Sequence, residues 1–198
     1  MITHVTGLFT HPSQEWKSIR DTQENITHIY LAQVFLLALI PPVSAYVGAT
    51  KIGWTVGQGS RVVLTESSAM AMAILMYVAM LLGVGVMGAF IQWMSRTYHS
   101  SPSYSRCVIF ATYTATPLFV AGLTMLYPTP WSIMLFGAAA LSYTTYLLYS
   151  GVPTFMNISE EEGFMFSSSI LTVGLVMLVT LMAFTVLIWS LGFGPIYV

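Results

Sequence analysis

Hydrophobic positions along the chain gather into five long runs, His28–Ala49, Ser67–Ser95, Cys107–Tyr127, Trp131–Ser150 and Ser168–Gly192, separated by short polar stretches. Each run is long enough for a helix to cross a hydrocarbon core about 30 Å thick, which takes about 20 apolar residues. Backbone polar groups in lipid must be satisfied within their own segment, so the runs predict helices. The expected fold is therefore all-α: a polytopic membrane protein built as a five-transmembrane-helix bundle. The second run exceeds what a bilayer needs and should tilt or protrude. Trp54, Trp93, Trp131 and Trp189 fall near segment ends, where interfacial aromatics collect.

Residues 1–27 are polar and stand apart from the transmembrane part, 28–198. They carry no secretory-signal pattern, so the first hydrophobic run is expected to remain as an anchor. Within them, PSQEWKSIRDTQENI sets Trp16, Ile19 and Ile26 on roughly one helical face and charges on the others. That pattern predicts a short helix lying on the membrane surface, opened by Pro12 in its first turn and able to anchor against the bundle or dock a partner. Lys17 and Arg20 before the first helix, with Arg96 and Arg106 in the second loop, outnumber Lys51 and Arg61 in the first loop. The balance predicts a cytoplasmic N-terminus and, after five crossings, a periplasmic C-terminus. The PTP link between the third and fourth runs leaves room for a turn only, which makes those helices an antiparallel hairpin.

Composition agrees with the pattern: 56% of the 198 residues are hydrophobic and 7% charged, with mean hydropathy +0.77. The net charge of −1 points to no nucleic-acid partner. The lone Cys107 forms no internal disulfide and reads as a small apolar residue.

GVGVMG, residues 83–88, matches a dinucleotide-loop pattern. Its flanks do not: Ser67 to Ser95 holds no charged side chain, whereas that loop joins a strand to a helix and calls for an acidic residue downstream. No nucleotide and no other cofactor is expected. Gly83, Gly85 and Gly88 read instead as a helix-packing face, with Gly85 and Ala89 at small-x-x-x-small spacing.

Pro41 and Pro42 in the first run and Pro117 in the third each free a carbonyl four residues earlier, at Leu37, Ala38 and Tyr113. Such kinks are satisfied by neighbouring hydroxyls, here Thr112, Thr114 and Thr116, or they line a cavity. Tyr113, Thr116, Pro117, Pro41 and Pro42 therefore form a candidate kink or ligand site. Glu160, Glu161 and Glu162 make the densest charged cluster and read as a solvated acidic turn opening the last helix. On the predicted topology they share a side with His4, His11 and His99, so a divalent metal is weighed there, without a close ligand spacing to support it. With Pro12 and Trp16 they form a candidate cytoplasmic interaction site. No Asp, Glu, Lys or Arg lies inside a hydrophobic run, which argues against a proton-coupled pump, and no nucleophile–base pair suggests an enzyme.

YTATPLF (Tyr113 to Phe119), in a five-helix chain of this length behind a polar, proline-containing N-terminal stretch, resembles the Yip domain family, named for Ypt/Rab-interacting proteins. GLFTHPSQEW, IGWTVGQG, ATPLFVAGL, YLLYSGVPTFMNISEEEGFMFSSS and the tail resemble bacterial inner-membrane members along nearly the whole chain. The resemblance implies five helices, a cytoplasmic N-terminus and inner-membrane residence. The Asp-Leu-Tyr-Gly-Pro signature of eukaryotic relatives that contact small GTPases is missing here. The expected function is a non-enzymatic scaffold or binding role, in contact with the lipid bilayer and with a protein partner or a second copy of the chain. The alternative is a channel or transporter for a small solute or ion, a divalent metal included, lined by the kinked first and third helices.

Overall fold

Local sequence sets most helix limits in the computed structural model, which describes residues 2–21, 27–55, 59 and 61–197. The chain opens with α1 (Ile2–Thr10) and α2 (Pro12–Asp21), the latter with Pro12 in its first turn as expected. Ile26, assigned from sequence to the same face as Trp16, lies outside the described residues. The first span is α3 (Thr27–Val47), which passes through Pro41 and Pro42 and widens into a π-turn at Gly48–Ile52. A two-stranded antiparallel hairpin follows, β1 (Trp54–Thr55) and β2 (Arg61–Val62), pairing Trp54 with Val62 and Thr55 with Arg61. The remaining spans are α4 (Glu66–Ser95), α5 (Tyr104–Ala121, continued as 3-10 helix to Leu126), α6 (Pro130–Met156) and α7 (Glu160–Ile188).

Among the described residues, five helices are thus long and apolar enough to cross a membrane, and the predicted all-α bundle is present. The last of them begins at Glu160, ahead of the apolar run that starts at Ser168 and at the acidic turn expected to open it. A capping box accounts for the extra turns: Ser159 Oγ accepts the Glu162 amide at 3.2 Å while the Glu162 carboxylate accepts the Ser159 amide at 3.4 Å. Three glutamates then sit in the first turn, where the helix dipole favours negative charge.

α5 is the axis of the bundle. Its span is 61% buried against 6% for that of α7, so α5 is packed around by protein and α7 faces mostly lipid. Glycine sets the closest approaches. A Cβ on Gly88 of α4 would stand 2.6 Å from Val108 Cγ2 of α5, and one on Gly122 would stand 2.5 Å from Pro41 Cγ of α3. Gly83 and Gly85 are looser, with Met177 Cε at 3.5 Å and Tyr104 Oη at 3.3 Å. Ala89 points outward; the buried face of α4 runs through Val84, Gly88, Ile91 and Ser95.

One end of the bundle, here called proximal, gathers α2, the α4–α5 link and the α6–α7 link. Ser100 Oγ donates to the Met156 carbonyl at 3.2 Å across those two links, and Tyr98 stacks on Phe166 at 5.0 Å. The distal end carries the hairpin, the Tyr127–Pro130 turn and the tail, tied where the Thr65 amide donates to the Ile196 carbonyl at 3.0 Å.

Candidate functional site

The proximal end is organised by α2, whose hydrophobic stripe turns into the bundle. Trp16 is completely buried and Ile19 nearly so, while Gln14, Lys17 and Asp21 remain exposed. The indole lies between α5 and α6. Its ring centroid is 4.9 Å from Phe110, 6.1 Å from Phe155 in an edge arrangement and 6.5 Å from Tyr113, again edge-on. Space for it comes from Gly151, where a Cβ would stand 2.6 Å from Trp16 Cε2.

Two arginines hold α2 at its C-terminal end. Arg106 of α5 donates through Nη2 to the Arg20 carbonyl at 2.7 Å, a cation on the carbonyl end of a helix dipole. In return, Arg20 Nη1 donates to the Thr154 carbonyl at 3.2 Å in the last turn of α6. Arg106 also lies over the Phe155 ring, 5.3 Å from its centroid. α1 doubles back along α6: Tyr143 Oη donates to the Leu8 carbonyl at 2.7 Å, and Phe9 stacks on Tyr143 at 5.2 Å.

Tyr113 links this docked helix to the first span. Its hydroxyl donates to Gln33 Oε1 at 3.3 Å, and both residues are buried. Gln33 Nε2 and Trp16 Nε1 are buried without a hydrogen-bond partner among the described residues. Leaving a buried donor unpaired costs about 1–3 kcal/mol, so these nitrogens mark a polar spot within the bundle.

Sequence reasoning assigned Trp16 and Tyr113 to two different candidate sites, and the structure brings them into contact. Within the kink group, Tyr113, Thr116 and Pro117 are buried on α5. The threonines turn back on their own helix, Thr112 to the Val108 carbonyl, Thr114 to Phe110 and Thr116 to Thr112, at 2.7, 2.8 and 3.0 Å. Pro41 and Pro42 are buried at the distal half of α3, where Pro41 abuts Gly122. In the surface group, Pro12 is half-buried, Glu160 and Glu161 are exposed and Glu162 is committed to the capping box. The glutamates join no group of three or more His, Cys, Asp or Glu side chains suited to a metal ion among the described residues.

Gln33, Gly151, Phe110, Phe155, Arg20 and Arg106 were missed. Gln33, an amide inside an apolar run, carried a usable signal, because a buried amide needs a partner. Gly151 carried none, since its role depends on a side chain far away in the chain.

Comparison with known proteins gives a consistent result. The Yip1 domain profile matches residues 6–181, a range that takes in the docked helix and reaches into the last span. The inner membrane protein YohC of Escherichia coli strain K12 is 47% identical over 192 residues, 97% of this chain and 98% of that relative. YohC of Escherichia coli O6:H1 strain CFT073 matches equally. No solved structure matches.

Proposed function

Because the chain belongs to the Yip1 domain family, we propose that it is a non-enzymatic, multi-pass protein of the bacterial inner membrane that works through contacts within the bilayer or at its cytoplasmic face. The observation that carries this reading is the docking of α2 by the fully buried Trp16, which fixes the exposed Lys17 and Asp21 at the end of the bundle where the capped first turn of α7 exposes Glu160 and Glu161. A rigid polar platform loses little conformational entropy when a partner binds. Buried polar groups in the spans support an interaction role over a reaction: Gln33, Thr112, Thr114, Thr116 and Ser167 are amides and hydroxyls, of which Gln33 and Ser167 bond to a neighbouring helix and the threonines bond back onto their own.

A photoreactive residue at Gln14 or Glu161 tests this in cells. Discrete adducts at these positions, lost on Trp16→Ala, are expected. An absence of adducts at both, together with solute flux from liposomes that depends on the protein, would contradict it.

A second reading, a route for a small uncharged solute, is favoured by one observation: the unpartnered Gln33 and Trp16 nitrogens beside Tyr113. It predicts saturable flux that falls on Gln33→Leu.

A further inference from the structure

At the distal end, far from Trp16, the hairpin and the α5–α6 turn enclose an open cavity of about 200 Å³ lined by Ile52, Trp54, Thr55, Arg61, Tyr127 and Thr129 among others. Its walls are fixed by backbone. Gly53, at φ +65°, turns the chain from the π-turn into β1 with no room for a Cβ against the Val62 carbonyl, and Gly48 packs directly on the Met125 carbonyl beneath the turn. Arg61 is held by the strand pairing and by its Nη2, which donates to the Lys51 carbonyl at 2.5 Å.

Among the described residues, Arg61 is the unmatched charge of this cavity. The nearby carboxylate, Glu66, is taken by Lys51 at 2.9 Å, and Arg61 has no ion-pair partner among the described residues. An exposed guanidinium with free donors, set beside a half-buried indole and a phenol that is 70% exposed, matches a ligand with an oxyanion and a short organic part. Trp54, Tyr127 and the neighbouring, largely exposed Trp131 are also the residue types that sit at headgroup depth in a bilayer.

We propose that this cavity binds a phosphate-bearing ligand, with Arg61 gripping the phosphate oxygens and Trp54 and Tyr127 flanking the attached glycerol-sized group. The phosphate can belong to a lipid headgroup or to a soluble phosphoester, and the site geometry is the same for both.

Isothermal titration of the purified full-length protein in neutral detergent, with dihexanoyl-phosphatidylglycerol and with glycerol 3-phosphate as probes, separates these sources. Saturable binding of the first alone identifies a headgroup site, and saturable binding of the second identifies a soluble phosphoester site; either supports the proposal. Arg61→Gln should weaken the binding at least tenfold and Arg61→Lys less. The charge-conserving Lys51→Gln/Glu66→Gln pair should leave it unchanged. Tyr127→Ala, at an exposed position that the fold does not need, should also weaken it and serves if Arg61→Gln does not fold. Failure of both probes to saturate, or binding indifferent to both Arg61→Gln and Tyr127→Ala, would overturn the proposal.

Discussion

The indole of Trp16 occupies the space that a side chain at position 151 would fill, with Cε2 only 2.6 Å from where a Cβ on Gly151 would stand. Size at one position is therefore coupled to size at the other. Gly151→Ala should cost about 1–3 kcal/mol by overpacking, and Trp16→Ala about 3–5 kcal/mol by leaving a cavity. In the double variant the alanine at 151 should cost less than it does alone, because only the Phe110 ring, 2.9 Å from the Cβ position, still crowds it, a non-additivity expected of residues in contact. Thermal melting of the four proteins in detergent measures it; strictly additive losses would mean that the two residues do not meet.

Glycines of the GVGVMG stretch should differ by position. Gly88 faces Val108 at 2.6 Å, Gly85 faces the Tyr104 hydroxyl at 3.3 Å and Gly83 meets only a methionine methyl at 3.5 Å. Replacement by leucine should be severe at Gly88, at or above the 1–3 kcal/mol of ordinary overpacking, intermediate at Gly85 and mild at Gly83. Melting temperatures that rank the three otherwise would remove the packing explanation.

Arg106 bonds the Arg20 carbonyl in the last turn of α2, so Arg106→Gln should loosen that helix while leaving the five spans intact. Lys17 and Arg20 are the tryptic sites within α2. Cleavage there should accelerate several-fold in the variant, tracking the population of the opened helix. Unchanged cleavage kinetics would assign the docking to Trp16 alone.

The spans were legible in the sequence because run length alone distinguishes a membrane helix, and the predicted PTP turn is the observed connection between α5 and α6. Limits set by polar residues were less legible. The glutamates signalled a helix start through the dipole, but the apolar run alone begins only at Ser168, and the Ser159 capping box is what places the start of α7 at Glu160. The amphipathic stripe of α2 was visible, yet a stripe facing lipid and one facing a protein groove have the same period. Only the distant Gly151, with Phe110 and Phe155, decides that Trp16 turns inward.

Orientation rests on Lys17, Arg20, Arg96 and Arg106 at the proximal end against Lys51 and Arg61 at the distal one. A reporter active only in the periplasm should work when fused after Val198 and stay silent after Ser159. Activity after Ser159 with silence after Val198 would reverse the assignment.

Hydrogen exchange along α2, measured in lipid nanodiscs, tests the docked platform most directly. With Trp16 buried against Phe110, Tyr113 and Gly151, amides from Trp16 to Asp21 should exchange far more slowly than an unstructured peptide of the same sequence. Trp16→Ala should abolish that protection without affecting α5. Exchange at the unprotected rate in the parent protein would contradict the account, because α2 would then be a free tail and no fixed surface would exist at that end of the bundle.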